Sequence, residues 1–533
     1  MNMPSPSLNI PDLQAGSHYI SQLSLANPTL AEQQVIAFLD ALIENPPDAG
    51  VLLSLLEQTR VPLCFIEEEI AQRYHNKALV LSDEQEESFQ RVISAWRRMT
   101  TAYRLCARMQ EPEPDNPHHA NLVATIQHRC LYYTGLIIIE HFRARRELPA
   151  GIWHELHGYY EAAELRGVGC TPVNDSLEND LQATHCAAAY VTLLLIEIAN
   201  PYGRSVRDLS LVRRWAGMWA PLVALHPVDD EYEVPPYLVE FTKDQALHPA
   251  GSADSIGSDA RWLDTARLGL QISHMLSQLQ QRLTPSQLGL GEETSGHVRR
   301  LLENLSRPWT QTASPRRFRR FASDGTAKVA VGFEAIHYFV GGKEFTQPDS
   351  GSIYGRGQFD EVFTFRDRVA PGQALNIKPR INYSTDEWTV INHSANGFRL
   401  GRGNAGERIA HSQLLAVCPH DGERFLLGQA TWLMQEHGGG ILAGLAILPG
   451  MPEAVTARRA STQAGHANRF VRAFLLPPVE AIGQEGSLVL PIGTYQASGS
   501  LELVGEGSSS WMVRMKHVRQ RGVDFERVSY EML

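Results

Sequence analysis

The chain changes its hydrophobic periodicity near residue 311, and this change constrains the fold more than any other feature of the sequence. Before it, apolar residues recur at helical spacing, as in Val35, Phe38, Leu39 and Leu42. After it, short apolar runs alternate with turn residues such as Asp, Asn and Gly, which is typical of β-strands. At 533 residues the chain is too long for one domain. We therefore predict an α+β multidomain protein with its helices first.

Linkers and turn signals suggest where the regions divide. An α-helical bundle or array is expected first, and its less regular stretch is the expected place for a division into two subdomains. A linker, a β-barrel with an insertion and a small C-terminal β-rich extension follow. The predicted ranges are 1–305 with its irregular stretch at 226–260, 306–325, 326–455 with its insertion at about 341–381, and 465–533.

Some local elements are predicted within these regions. Helices are expected at 260–283 and 297–305, and a short strand at 237–241. The apolar residues Val329, Val331, Phe333 and Ile336 are expected to share one extended segment. Asp421-Gly422 between two apolar runs predicts a β-hairpin.

Charge and hydropathy limit the classes of partner. Hydrophobic residues make up 43% and charged residues 20% of the chain, as in soluble globular proteins. Residues 1–310 carry 24 basic and 38 acidic side chains, whereas residues 311–533 carry 24 and 21. An acidic first part argues against wrapping nucleic acid. The longest apolar stretch, 186–196, is shorter than the roughly 20 residues of a membrane span, and no secretory signal is visible. A cytoplasmic protein without membrane insertion is expected.

The sequence lacks the common motifs of metal centres and catalysis. Its six cysteines are scattered without a C-x-x-C pair. His154 and His157 are three residues apart, whereas the helical zinc motif needs histidines four apart. There is no G-x-x-x-x-G-K-[ST] loop and no G-x-S-x-G elbow. We therefore expect neither a metal nor a cofactor, and we predict that the protein is not an enzyme.

Two short motifs in the second part point to ligand binding. The run 316–320 contains R-x-x-x-R, and the run 392–397 fits [D/N]-x-S-x-x-G between two predicted strands. A guanidinium donates two parallel hydrogen bonds to guanine O6 and N7, pairs with phosphate or stacks on a base. Asn392 and Ser394 offer short polar groups, and Gly397 permits either a positive φ or a close approach of another backbone.

Together the two motifs resemble the PilZ domain, a six-stranded β-barrel that binds the bacterial second messenger cyclic di-GMP. The strand after Gly397, the aromatic Trp432 late in a hairpin and the apolar run 444–448 also agree with this family. The resemblance covers residues 311 to about 450. It departs from the family in spacing, because 71 residues separate Arg320 from Asn392. The predicted insertion accounts for part of that distance.

The resemblance implies which residues bind the nucleotide. A flexible arm would supply Arg316, Arg317 and Arg320, and the barrel would supply a rigid half-site. The residues of that half-site are Asn392, Ser394 and Gly397.

The resemblance also implies a function. The expected protein is a cytoplasmic bacterial cyclic di-GMP receptor in which nucleotide binding alters how the barrel packs against a helical output domain. That helical domain would bind an unidentified protein partner, in a process such as motility or biofilm formation. One alternative is an adaptor that no longer binds nucleotide, its site covered by residues 341–381. Another is a nucleic-acid-binding protein that uses the arginine run.

Overall fold

The computed structural model describes residues 8–109, 117–177, 183–228, 237–249, 257, 259–310, 320–347, 383–460, 469–505 and 510–533. The chain forms two compact units. The first comprises Met1–Lys77 with Leu81–Arg316, and the second comprises Ala78–Val80 with Arg317–Leu533. The first is mainly helical and the second mainly β, so the predicted fold class is confirmed.

The first unit is a helical bundle followed by a small sheet and two further helices. Its described helices are α1 (Leu13–Ser21), α2 (Pro28–Glu44), α3 (Ala49–Ala71), α4 (Asp83–Met109), α5 (Pro117–Ala144), α6 (Ile152–Leu165), α7 (Cys186–Ile198), α8 (Val206–Trp219), α9 (Ala266–Gln280) and α10 (Ser295–Thr310). Capping side chains begin several of them: Asp12 accepts from the Ala15 N–H and Asn27 from the Leu30 N–H. The long helix α5 packs against α4, α6 and α7 and so occupies the middle of the bundle.

A buried ionic cluster joins elements of this bundle. Both carboxylate oxygens of Asp175 accept from the Arg60 guanidinium at 2.7 and 2.9 Å, and Arg129 donates to the same carboxylate at 3.0 Å. Arg129 also donates to Glu57 at 2.8 and 2.9 Å. Burial would raise the pKa of Glu57, but the hydrogen bond and charge of Arg129 outweigh it and lower that pKa. Both buried arginines of this cluster therefore have a carboxylate partner.

The stretch predicted to be irregular contains most of a four-stranded antiparallel sheet, so the expectation of a loop with one short strand was incomplete. The strands are β1 (Ala224–Pro227), β2 (Tyr237–Glu240), β3 (His248–Pro249) and β4 (Ala260–Asp264), in the order β1-β4-β2-β3. The helix expected from residue 260 begins only at Ala266, because the Asp264 carboxylate accepts from the Ala266 N–H and separates strand from helix.

Helix α10 extends further than predicted, to Thr310, so the first residues of the expected linker are helical. Trp309 explains the extension: its side chain is fully buried, and its indole N–H donates to the Leu195 carbonyl at 2.8 Å.

The second unit begins with a closed six-stranded barrel, as predicted. Its strands are β6 (Thr326–Val331), β7 (Asp386–Ser394), β8 (Gly397–Arg402), β9 (Leu414–Pro419), β10 (Leu426–Gln435) and β11 (Ile441–Ile447). They follow the order β7-β6-β9-β10-β11-β8, and the pairing of β7 with β8 closes the barrel. A two-residue strand, β5 (Phe321–Ala322), pairs with β7 alone. The predicted Asp421-Gly422 hairpin is present between β9 and β10.

The extended segment predicted through Ile336 ends at Val331. Gly332 has a φ of 87°, which stops the strand, and helix α11 (Phe333–Gly341) follows. The apolar side chains of Phe333, Ile336 and Val340 have helical spacing and pack against the core of this unit. The rest of the predicted insertion lies largely outside the described residues.

A second closed barrel follows, where only a β-rich extension was expected. Its strands are β12 (Glu453–Arg459), β13 (Val471–Leu476), β14 (Ser487–Pro491), β15 (Ser500–Val504), β16 (Ser510–Arg521) and β17 (Phe525–Met532), in the order β12-β13-β14-β17-β16-β15. The predicted boundary at residue 455 falls inside β12. That strand pairs with β13 and β15, and Val455 and Ala457 belong to the interior of the second barrel.

The two barrels share one hydrophobic core. Side chains from outside the second barrel meet those of the first barrel and α11 in a single buried cluster. Its residues are Ala330, Ile336, Leu414, Ala416, Leu427, Leu448, Phe474, Leu476, Val489 and Phe525. The barrels are therefore packed as one body.

Among the described residues, two helices are long and apolar enough to span a membrane by length and composition alone. They are α3 and the part of α5 from His118. The apolar window of α5 is 78% buried within the protein, as in a core helix, whereas that of α3 is 39% buried.

Candidate functional site

The second motif forms a tight hairpin at one end of the first barrel. Ser394 pairs with Gly397 across a two-residue turn, and the Ser394 hydroxyl donates to the Asn396 side-chain oxygen at 2.9 Å. The motif was expected to lie between two strands, but strand β7 continues through its first three residues to Ser394, because these residues pair with β8. Asn392 and Ser394 are thus held on a strand rather than in a loop.

A β-bulge decides the direction in which Asn392 points. The register of β7 and β8 shifts between Val390, which faces Leu400, and Asn392, which faces Arg399. Val390 and Leu400 are buried in the barrel, whereas Asn392 is half-exposed. The extra residue, Ile391, re-aims the strand so that Asn392 lies on the outer surface.

Arg399 and Trp432 continue this outer surface across the neighbouring strands. Arg399 is opposite Asn392 on one side and Gly444 on the other, and Gly444 is opposite Trp432. The Arg399 guanidinium lies 5.7 Å from the centroid of the Trp432 ring. We call the row formed by Asn392, Arg399, Gly444 and Trp432 the outer row.

The glycine in the outer row is required by the tryptophan. A Cβ at position 444 would collide with the indole nitrogen of Trp432. The absence of a side chain therefore lets the Nε1 edge of the indole lie against Gly444, and the Arg399 guanidinium lies over the ring. The outer row thus combines a cation, an aromatic ring and an amide.

The two arginines of β8 lie on opposite faces of the strand and differ in their partners. Arg402 bonds to Asp386 and stacks over Trp388 at 4.9 Å. Burial lowers the pKa of Arg402, and the Asp386 charge opposes this effect. Arg399 has no carboxylate partner within the described part of the chain, and its Nε is buried without an acceptor there. Arg399 is therefore the one of the two that can bind an added anion or base.

Gly397 has a structural reason to be glycine. A Cβ there would collide with the carbonyl oxygen of Leu445 on β11. Its φ lies outside the positive range, so of the two predicted reasons the close approach of a backbone applies. The glycine therefore lets the start of β8 lie directly against β11.

Strand β5 brings Arg320, the last residue of the arginine motif, to this hairpin. Phe321 pairs with His393 and Ala322 with Asn392, so Arg320 directly precedes a strand that lies on the second motif. Arg320 is exposed and forms no ion pair with the described residues. Two motifs with 71 residues between Arg320 and Asn392 are thereby brought together. Arg316 and Arg317 lie outside the described residues.

A cavity of about 350 Å³ opens beside the hairpin, on the side opposite the outer row. Its lining includes Ser323, His393, Phe398, His420 and Asp421. These groups are polar or aromatic. In the described ranges no group of three His, Cys, Asp or Glu side chains is arranged to hold a metal ion.

Two residues of the outer row, Arg399 and Trp432, were not among the predicted site residues. Trp432 was noticed only as an aromatic late in a strand, and Arg399 only as part of the strand after Gly397. Their roles depend on the register across three strands, which the sequence does not contain. The one available signal was alternation along β8, which places Gly397 and Arg399 on the same face.

The chain is similar to known proteins along most of its length. Three family models match it in order: the N-terminal domain of the cyclic-di-GMP receptor FimW over residues 14–230, its middle PilZ domain over 238–355, and the FimW C-terminal beta-barrel domain over 455–533. The cyclic-di-GMP receptor FimW of Pseudomonas aeruginosa is 22% identical over 527 residues, which cover 91% of this chain and 85% of that protein.

The middle match differs in extent from the predicted resemblance. It starts at residue 238 rather than 311 and includes the arginine motif and β6. It ends at residue 355, before the Asn392–Gly397 motif. The match to the PilZ domain model therefore does not include the hairpin at residues 392–397, and the hairpin is a separate observation.

Proposed function

We propose that this chain belongs to the family of PilZ-containing cyclic di-GMP receptors and that it binds cyclic di-GMP on the outer face of its first barrel. One observation carries this proposal: β5 pairs with β7, so that Arg320, the last residue of the arginine motif, lies next to the N-x-S-x-x-G hairpin. A site made of two distant motifs in contact is much more specific than either motif alone.

The chemistry of the site suits that ligand. Cyclic di-GMP has two guanines and two phosphodiesters. Arg320 and Arg399 can each donate a forked pair of hydrogen bonds to a guanine edge or to a phosphate. The Trp432 ring offers a face for base stacking, and Asn392 and Ser394 offer short polar groups beside it. Gly397 acts by shaping the hairpin. Arg316 and Arg317 are proposed to complete the site from the arm.

We further propose that binding is passed on to the helical unit. The arm joins the two units in sequence, so arginines that hold the nucleotide also restrict the segment between them. A ligand shifts such an equilibrium only by its difference in affinity for the two arrangements. In this proposal the receptor is cytoplasmic and has no catalytic role, and the helical unit binds a protein partner.

Calorimetric titration of the full-length protein with cyclic di-GMP tests the proposal, with GMP and cyclic di-AMP as competing ligands. One forked arginine contact contributes about 1–3 kcal/mol. Arg316→Ala and Arg320→Ala should therefore each weaken binding about 5- to 150-fold. Arg514→Ala is the matched control, because Arg514 is ion-paired with Glu531 in the second barrel. Unchanged affinity in both test variants would refute the site.

An adaptor that does not bind nucleotide is the second candidate function. The observation in its favour is that Ser394 and Gly397 already have roles within the hairpin itself. The absence of any heat at two temperatures, supported by a second binding method, would favour this alternative.

A further inference from the structure

Three aromatic rings on three adjacent strands lie beside the proposed nucleotide site. The rings of Phe321 on β5 and His393 on β7 have centroids 5.9 Å apart, and the rings of His393 and Phe398 on β8 have centroids 6.3 Å apart. We call these three rings the aromatic ladder. Its members are cross-strand partners: Phe321 pairs with His393, and His393 with Phe398.

The ladder is not part of a hydrophobic core. Phe321 is 51% exposed, His393 is exposed and Phe398 is half-exposed. Exposed cross-strand aromatic pairs stabilise a particular pairing of two strands. The ladder is thus placed to fix how β5 lies on β7.

Strand β5 needs such a device because it is very short. It has two residues and pairs with one neighbouring strand. A slip of one residue would turn every side chain of β5 to the opposite face. The Ser323 N–H bond to the Ile391 carbonyl and the pairing of β6 with β7 constrain β5 from its C-terminal side, and the contact of Phe321 with His393 constrains it at the end next to Arg320.

The register in turn decides where Arg320 points. Successive side chains of a strand alternate between faces. With Phe321 held on the face of His393, the residue before it is directed to the other face, which carries Asn392 and the outer row. A slip by one residue would direct Arg320 to the face of the cavity instead.

We infer that the aromatic ladder is a positioning device that holds Arg320 on the ligand-binding face, with Phe321 as its key residue. This inference rests on the proposed function, because its main readout is nucleotide affinity. Phe321 and His393 act through Arg320 and need not touch the nucleotide.

The test is a double-mutant cycle in the full-length protein, with cyclic di-GMP as the titrant. Phe321→Ala should weaken binding about 2- to 10-fold, since an aromatic pair of this kind contributes about that factor. Phe321→Tyr keeps the ring and should restore most of the affinity. In an Arg320→Ala background, Phe321→Ala should change the affinity less than twofold, because the group it positions is gone.

Phe65→Ala is the matched control. Phe65 is 50% exposed on helix α3 of the helical unit, so the same substitution removes a similarly exposed ring elsewhere. It should leave the affinity unchanged. Thermal unfolding accompanies each titration, and His393→Ala removes the same ring contact from the other strand if Phe321→Ala fails to fold.

A readout without nucleotide completes the test. The Ser323 N–H donates to the Ile391 carbonyl at 3.3 Å, next to β5. Phe321→Ala should accelerate hydrogen exchange there, and Phe321→Tyr should not. If the wild-type protein does not bind cyclic di-GMP, the proposed function and this inference fall together. If it binds, additive effects of Arg320→Ala and Phe321→Ala, or an unchanged exchange rate, refute the inference alone.

Discussion

Two arginines of the helical unit and two of the first barrel have opposite surroundings. In the helical unit, Arg60 and Arg129 are almost completely buried, and both donate to the carboxylate of Asp175. On the first barrel, Arg320 and Arg399 have no carboxylate partner within the described residues. Buried cations without partners would destabilise the fold, whereas half-exposed ones remain available for an anion from outside.

The second barrel shows that exposure alone does not leave an arginine free. Its strand β16 is strongly basic, but Arg514 and Lys516 pair with Glu531, and Arg519 pairs with Glu485. An exposed arginine is therefore available to an anionic ligand only where no neighbouring carboxylate pairs with it. Substitutions of paired and unpaired arginines should have different effects on stability and on ligand affinity.

The largest expected effect is on the buried cluster of the helical unit. Asp175→Ala leaves two buried guanidinium groups without this partner, and such a loss costs about 3–5 kcal/mol in unfolding free energy. Denaturant unfolding followed by circular dichroism at 222 nm measures it. Asp40→Ala, which removes an exposed partner of Arg98, is the control and should cost less than about 1 kcal/mol. Equal losses in the two variants would show that burial does not distinguish these arginines.

The next largest effect is expected on the stability of the hairpin next to Arg320 and Arg399. Gly397→Ala places a Cβ against the Leu445 carbonyl and should lower the stability of the barrel by about 1–3 kcal/mol, with a parallel loss of nucleotide affinity. Thermal unfolding and calorimetry measure the two quantities. Gly403→Ala is matched to it, since no heavy atom lies within 4 Å of the added Cβ. Similar melting temperatures for the two variants would contradict the close approach seen at Gly397.

A smaller effect is expected from changing the outer row without removing its charge. Arg399→Lys keeps the cation but loses the planar fork and much of the stacking on Trp432, so cyclic di-GMP should bind about 3- to 10-fold more weakly. Arg472→Lys is the matched control. Arg472 also stacks on an aromatic ring, Phe345, but it is paired with Glu334. A similar loss in both variants would break the distinction between paired and unpaired arginines.

A further prediction concerns the pH dependence of stability, which should differ between a carboxylate with an arginine partner and one without. The Arg143 charge and a hydrogen bond from His75 outweigh the burial of Glu140 and lower its pKa to about 2. The Asp524 carboxylate accepts from the Leu414 N–H, and burial raises its pKa above the ordinary 3.8. The two groups therefore contribute opposite slopes of stability against pH.

The sign follows from which state binds more protons. Glu140 binds fewer in the folded state, so its contribution is present above pH 4.5 and is lost as the pH falls towards 2. Asp524 binds more in the folded state, so its contribution decreases as the pH rises from 3.8 through its raised pKa. The unfolding free energy of each variant is measured across pH 2–6 and compared with that of the wild-type protein. Glu140→Gln should remove a contribution that rises with pH, and Asp524→Asn should remove one that falls with pH. Changes of the same sign would contradict the assignment.

Much of the fold could be predicted because local patterns specify local elements. The helical spacing around Phe38 and the Asp421-Gly422 turn both correspond to observed elements. Where a local signal was misread, a tertiary contact or a single glycine decided the outcome. Trp309 extends its helix because its ring is buried, and Gly332 changes strand into helix.

The candidate site was predictable only in part, for a physical reason. Asn392, Ser394 and Gly397 could be found because they form one short motif. Arg399 and Trp432 meet only through the register of β8, β11 and β10, and the register shift between Ala430 and Trp432 has no signal in the sequence. The second barrel was missed because closure depends on pairing between its first and fourth strands in sequence, Glu453–Arg459 and Ser500–Val504.

The shared core of the two barrels has a consequence for how such a chain can evolve. Phe474, Leu476, Val489 and Phe525 fill the space against the first barrel from outside the second. A chain shortened before residue 453 would expose Leu414 and Leu427 to water, and a chain that acquired the second barrel alone would expose those four side chains. Gene fusion or loss could not separate the two barrels without many compensating substitutions on both faces. We therefore expect the two barrels to be kept together as a single module, even though each one closes its own sheet.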